Sequence, residues 1–179
     1  MHVLLCRDIL LLRQKLQQAG TQLAIIYTIG HSNTAVAELI SLLKAHGIVL
    51  VVDVRSDPYS KYASQFNKRE IEAELRRSGF EYLYLGDKLG GKPKSPGFYT
   101  PSGAPDYEKM AQSDVFRATL DDVVRMAAEK PLALMCSEAD PKACHRDRLL
   151  AWVLRGQGHD VRHILHDGSI LIEEQGTLL

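Results

Sequence analysis

Apolar positions along this chain alternate between unbroken runs of four to seven residues and a helical spacing of three and four. The alternation predicts strands and helices in turn. Over residues 3–19, Leu5, Ile9, Leu12 and Leu16 share one stripe, which predicts an amphipathic helix that Gly20 ends. Residues 24–29 form a β-branched and aromatic run closing at Gly30, the first core strand. Asn33 or Thr34 then caps a helix to about His46, with Val36, Leu39, Ile40 and Leu43 at helical spacing and Gly47 past its end. Residues 48–54 are apolar almost throughout, as expected for a strand covered on both faces. A helix over 67–78 carries Ile71 and Leu75, and a third strand follows over 80–85. Residues 86–105, rich in Gly, Pro, Ser and Lys, read as one long loop, and loops of about that length in a compact domain are usually functional lids or disordered. Residues 107–129 read as helix in two pieces around Ser113 and Asp114, 132–136 as a fourth strand, 144–157 as a helix, 161–165 as a fifth strand and 170–173 as a final short one.

Strands and helices in this order imply right-handed crossovers. The expected fold is α/β: a mostly parallel, Rossmann-like, three-layer sheet of about five strands with helices on both faces. With 179 residues, the chain divides into an N-terminal helical extension, 1–24, and a single α/β domain, 25–179. Charge is balanced, 22 basic residues against 22 acidic, so nothing global steers the protein to nucleic acid or anionic lipid. Three cysteines, Cys6, Cys136 and Cys144, make no disulfide framework, and an odd number of free thiols fits a reducing cytoplasm. The opening apolar run is broken by Arg7 and Asp8, unlike a signal peptide, and no run reaches the roughly 20 apolar residues of a membrane span.

Sheets of this kind bind ligands beyond the carboxyl ends of their strands. The polar clusters of the sequence fall there: Gly30-His31-Ser32-Asn33, Asp53-Val54-Arg55-Ser56-Asp57-Pro58, Leu85-Gly86-Asp87-Lys88-Leu89-Gly90-Gly91-Lys92, and Cys136-Ser137-Glu138 leading to Cys144-His145-Arg146. Four loops are therefore expected to meet at one rim. In Thr28-Ile29-Gly30-His31-Ser32, Asp53-Val54-Arg55 with Pro58 and Ser60, Tyr84-Leu85-Gly86 with Leu89-Gly90-Gly91, and Cys136-Ser137-Glu138 with Cys144-His145-Arg146, the chain resembles the bacterial and archaeal "domain of unknown function 488" proteins. The resemblance runs from about Tyr27 to Leu165. It implies an α/β fold and a shared polar pocket, without a settled reaction. Residues 1–24 carry none of its motifs and form an added element that can cover an edge or join two copies into a homodimer.

The residue types suggest the chemistry. His31, in a strand-to-helix turn, is a candidate ligand or general acid/base, with helix capping or a bond to a backbone carbonyl as the alternative. Arg55 ends a buried strand, where its planar donors suit phosphate or carboxylate; the alternative is an ion pair with Asp53, Asp57 or Glu138. Asp53 is expected to orient Arg55 or His31, and Ser32 to support the turn. Cys144 opens a helix beside His145 and Arg146, where dipole and charge favour a thiolate and nucleophilic behaviour; otherwise it packs the helix onto the sheet. Cys136 reads as core, Glu138 as a capping carboxylate or a base, and His145 and Arg146 as donors to an anion.

The spacing of cysteine to arginine is not that of the protein-phosphatase signature. Arginines stand two and four residues after Cys144, and Lys142 stands six after Cys136. A zinc site from His31, Cys136, Cys144 and His145 lacks the paired CxxC spacing, so no metal is assigned and the cofactor stays open. Gly90 and Gly91, flanked by Lys88 and Lys92, resemble a phosphate cradle or else punctuate a flexible loop; Phe98, Tyr99 and Tyr107 can stack a base or anchor a lid. The expected function is an enzyme acting on a phosphate-bearing small molecule or nucleotide, with His31, Cys144 and His145 catalytic and Arg55, Arg146, Gly90 and Gly91 binding the anion. A noncatalytic nucleotide or nucleic-acid binding module is the alternative, disfavoured for long nucleic acid by the neutral charge, and a thiol redox sensor is the third.

Overall fold

A computed structural model describes residues 23–173. The helix expected over 3–19 lies outside the described residues. Six strands form one sheet: β1 (Ile25–Gly30), β2 (Leu50–Asp53), β3 (Glu81–Tyr84), β4 (Leu132–Cys136), β5 (Asp160–Ile164) and β6 (Ile170–Leu171), in the order β3-β2-β4-β1-β5-β6. β1 to β5 are mutually parallel, and β6 returns antiparallel beside β5. The expected parallel sheet is therefore present with one further antiparallel edge strand, short enough to close the sheet without offering a long unpaired edge.

Helices α1 (Val36–Ala45) and α2 (Lys68–Arg77) follow β1 and β2. Each ends at a glycine with positive φ, Gly47 at 64° and Gly79 at 92°, where a side chain would be strained. The segment expected to be one long loop contains a short helix, α3 (Gly86–Leu89), and a 3-10 turn (Pro96–Phe98). Helix α4 (Tyr107–Ala111) is capped by Asp106, whose carboxylate accepts from the Lys109 amide at 2.9 Å, and α5 (Asp114–Glu129) follows it. After β4, a 3-10 turn (Pro141–Ala143) leads into a π-helical stretch, Arg146–Ala151, continued by α6 (Trp152–Gly156). The last helix is thus not the uniform α-helix the pattern predicts.

Alternate strand residues feed two cores. Ile29, Val51, Ala133 and Met135 pack with Leu39, Leu43, Ile71 and Leu75 of α1 and α2. Val52, Val54, Leu134 and Cys136 face the other way, onto Leu89, Met110, Leu120, Leu149 and Leu154 of α3 to α6. This division follows from right-handed crossovers: the connections after β1 and β2 move toward the β3 edge, and those after β3 and β4 move back. β4 lies between β2 and β1, so on both of its sides the neighbouring connections leave for opposite faces. Such a reversal opens a crevice at the strand ends, here doubled around the carboxyl end of β4. Among the described residues no helix is long and apolar enough to cross a membrane.

Candidate functional site

The four polar loops do meet at the carboxyl edge of the sheet, and they meet tightly. The His31 and Ser32 amides donate to the carbonyls of Cys136 and Ser137 at 2.9 and 2.7 Å, extending the β1–β4 ladder into the loops. A Cβ on Gly30 would sit 1.7 Å from the Glu138 carbonyl oxygen, and one on Gly86 would sit 1.8 Å from that of Arg55. Only glycine lets these backbones cross so closely. Gly90 and Gly91 serve the same end. The first packs on Ser56 and the second on the His145 ring, so the faces expected to cradle phosphate are covered by protein atoms.

The site expected to be one pocket divides into two clusters on opposite faces of the sheet. On the α1 and α2 side, Asp53 and Arg55 form a forked pair, with Nε to Oδ1 at 2.9 Å and Nη2 to Oδ2 at 2.6 Å. Asp53 is 0% exposed and Arg55 5%. Tyr82 donates its hydroxyl to Asp53 Oδ2 at 2.8 Å, and Arg55 Nη1 donates to the Phe66 carbonyl at 2.7 Å and to His31 Nε2 at 3.0 Å. Because a guanidinium only donates, His31 Nε2 is an acceptor, and its Nδ1–H donates to the Ser32 carbonyl at 2.7 Å. The imidazole stacks on Phe66 with centroids 4.1 Å apart. Burial first, and the Arg55 charge second, hold its pKa down to about 4. His31 is thus a neutral ring with both nitrogens engaged, and Arg55 spends its fork on Asp53. In this structure both secure the loops, and neither presents a free group to an anion or a proton.

On the other face stand Cys136, Cys144 and His145, all buried, with Glu138 exposed beside them. His145 Nδ1 lies 3.6 Å from Cys136 Sγ and 3.7 Å from Cys144 Sγ, and the three potential ligand atoms lie within 4.8 Å of one another. The opposite ring nitrogen, Nε2, lies 3.1 Å from the Val54 carbonyl oxygen, which can only accept. Nε2 therefore carries the proton, and Nδ1 turns a lone pair toward both sulfurs. Cys136 donates its thiol hydrogen to Glu138 Oε2 at 3.1 Å. Hydrogen bonding with Cys144, together with burial, pushes the Cys136 thiol well up. Burial also raises Glu138, but hydrogen bonds involving the Cys144 and Cys136 thiols outweigh it and leave the carboxyl below its ordinary value.

Arg146 is 0% exposed and has no carboxylate partner among the described residues. Nη2 donates to the carbonyls of Glu138 and Ala139 at 2.7 and 2.6 Å, while Nε and Nη1 are buried without partners. Burial lowers its pKa, opposed by the neighbouring Cys144 and Cys136 thiols and by Glu138. The π-helical turn that carries Arg146 is tethered from behind. Asp147 Oδ1 accepts from Arg155 at 2.9 Å and from His163 Nε2 at 3.2 Å, and His163 Nδ1 accepts from the Thr28 hydroxyl at 2.7 Å. Thr28 and His163 are sealed from solvent, so this chain of bonds fixes the turn to β1 and β5.

On the solvent side, Tyr107 lies near Cys144, Cys136 and Glu138, and the Arg148 guanidinium stands 5.6 Å from the centre of its ring. Burial raises the Tyr107 pKa, and Arg148 opposes the rise. The sequence missed two members of this rim: Tyr82, on β3 and outside every motif, and the Val54 carbonyl, a backbone group that no side-chain pattern signals. Tyr107, expected to stack a base or anchor a lid, packs against the core that holds the thiols. A cleft of about 600 Å³ elsewhere on the protein is lined by Gln112, Arg117, Asp121, Trp152 and Gln157 and holds none of the candidate residues.

The model of the family described as "Domain of unknown function DUF488" matches residues 35–153. The chain belongs to the DUF488 family. The matched DUF488 region contains the Asp53–Arg55 pair, Gly86 to Gly91 and the whole Cys136, Glu138, Cys144, His145 and Arg146 cluster, while His31 lies just before it. Searches of curated proteins and of solved structures found no match.

Proposed function

We propose that this protein is an enzyme acting on a small phosphate-bearing molecule, nucleotides included, with its reaction centre at Cys136, Cys144, His145 and Glu138. The observation that carries the reading is the gathering of two thiols and a correctly oriented imidazole lone pair within 4.8 Å, beside an exposed carboxylate, at the carboxyl end of β4. Perturbed titratable groups gathered at a switch point are the usual mark of a reaction site. Cys144 and His145 form the electron-rich centre, and Glu138, which reaches solvent, exchanges protons with the substrate or its attacking group. Arg148 supports an anionic substrate: it is exposed, has no ion pair among the described residues, and stands over Tyr107 at the solvent side of the thiols.

The test is a screen of the full chain against phosphate monoesters, phosphodiesters and nucleotides, followed by variants. Cys144→Ser and Glu138→Gln should abolish the turnover found, and Arg148→Ala should raise KM more than it lowers kcat. Activity unchanged by both of the first two substitutions would overturn the assignment. Saturable nucleotide binding without turnover, steeply salt-dependent and indifferent to thiol alkylation, would support a binding module instead. The closeness of the two sulfurs favours one second reading, a dithiol sensor, which predicts a Cys136–Cys144 disulfide under mild peroxide.

A further inference from the structure

We propose that Cys136, Cys144 and His145 bind a zinc ion, leaving a fourth coordination position open on the Glu138 side. The inference uses the reaction centre proposed above and gives it a metal.

Spacing is the first argument. A tetrahedral zinc with bonds of about 2.3 Å to sulfur and 2.0–2.1 Å to nitrogen sets sulfur and nitrogen about 3.6 Å apart. The sulfurs of Cys136 and Cys144 lie 3.6 and 3.7 Å from His145 Nδ1, the separation a tetrahedral zinc sets, and all three ligand atoms lie within 4.8 Å of one another. Imidazole orientation is the second. A ligating histidine normally donates its other ring N–H to a carbonyl or carboxylate, which fixes the tautomer, and His145 Nε2 faces the Val54 carbonyl at 3.1 Å.

Charge is the third argument. Two thiolates neutralise a divalent ion, and the Arg146 guanidinium, whose Nη2 bonds the Glu138 and Ala139 carbonyls while its Nε and Nη1 are buried without partners, keeps a positive charge beside the ligand loop. The Arg146 amide lies 3.5 Å from Cys144 Sγ, where it can donate to a ligating thiolate. Donor type selects the metal, since thiolate with imidazole suits zinc and not magnesium or calcium.

The seven residues between the cysteines do not give the usual CxxC pairing. The 3-10 turn Pro141–Ala143, with Asp140 accepting from the Lys142 amide at 2.9 Å, brings Cys144 back to the end of β4 all the same. His31, counted with these ligands from sequence, is not one of them, because its Nε2 accepts from Arg55. Three protein ligands and one open position are the form of a catalytic rather than a structural zinc site. Glu138, exposed and with Oε2 3.1 Å from Cys136 Sγ, stands beside that open position, where its carboxylate can take a proton from water.

The test uses the full chain expressed with added zinc, desalted and analysed for metal, then stripped with a chelator and titrated with zinc and with cobalt(II). The expected result is a single zinc per chain, and for cobalt an absorption band from sulfur-to-metal charge transfer. Stripping should render Cys136 and Cys144 open to alkylation, and zinc should protect them again. Cys144→Ser should lose the metal, and Glu138→Gln should keep it with the fold intact by circular dichroism. Wild-type protein that holds no zinc and binds none with its thiols reduced would overturn the proposal, as would bound cobalt without the sulfur band. Zinc bound without turnover of any phosphate compound would retire the proposed function and leave the site. Turnover surviving in metal-free protein would do the reverse.

Discussion

Acid should destabilise this protein through His31, by an amount the structure allows to be worked out. In the unfolded chain an imidazole takes up its proton near pH 6.5. In the folded protein, burial and the Arg55 guanidinium delay that step to about pH 4. Between those values the unfolded chain binds more protons, so each step toward acid favours unfolding. The stability tied to keeping this ring neutral is intact above about pH 6.5 and is lost as the pH falls to about 4. At about 1.4 kcal/mol per pH unit, the loss is about 3 kcal/mol, a large share of the 5–15 kcal/mol typical of a domain. Carboxylates such as Asp147, held below its ordinary value by His163 and Arg155 against burial, lose stability in acid as well, so the histidine must be isolated by difference. His31→Gln serves, since an amide oxygen can accept from Arg55 and does not titrate. Urea unfolding of both proteins, followed by circular dichroism from pH 7.5 to 4, should show the wild type losing about 3 kcal/mol more than the variant across that span. Parallel curves would mean that the ring charges in place, and the account of His31 as a locked neutral group would fall.

The remaining predictions concern the packing around it. Asp53→Ala leaves the Arg55 charge buried and unpaired, and should cost about 3–5 kcal/mol in urea unfolding. Tyr82→Phe removes one bond to the same carboxylate and should cost about 1.5–3 kcal/mol, and a smaller loss from Asp53→Ala than from Tyr82→Phe would refute the ion-pair reading. Gly91→Ala places a methyl 2.5 Å from His145 Cβ and 3.0 Å from its Nδ1, which should cost about 1–3 kcal/mol and alter alkylation of Cys144. Unchanged stability and alkylation would show that the glycine loop does not rest on the ring.

Much of the framework was legible because local patterns decide it. The five apolar residues of β4 are fully buried from Leu132 to Cys136, and the stripes of α1 and α2 occupy the positions their spacing predicts. Strand order was not legible. The insertion of β4 between β1 and β2 rests on pairings between residues far apart in the chain, and it decides on which face each strand-end residue falls. That placement puts Asp53 with α1 and α2 and Cys136 with the other helices, which turns one expected pocket into two clusters. Arg55 shows the limit at a single residue. Its residue type suits a substrate anion and Asp53 equally, and the pairing of its fork with the buried Asp53 carboxylate appears only once the fold brings the two together. Cys136 reads as core by composition because it ends an apolar run. Its turn toward His145 depends on the Pro141–Ala143 turn folding the chain back.

The central place of β4 also bears on how the molecule comes into being. β1 and β2 do not pair with each other; both ladders are formed with β4, and Tyr27 meets Ala133 only after a span of about a hundred residues has been closed. Synthesis from the amino end therefore releases β1 and the β2–β3 pair well before the strand that joins them, with hydrogen-bonding edges open to other chains. Truncation before residue 132 should yield aggregating fragments, and refolding should be slow for a protein of this size, because β1 and β2 are joined only through pairings with a strand about a hundred residues downstream of β1.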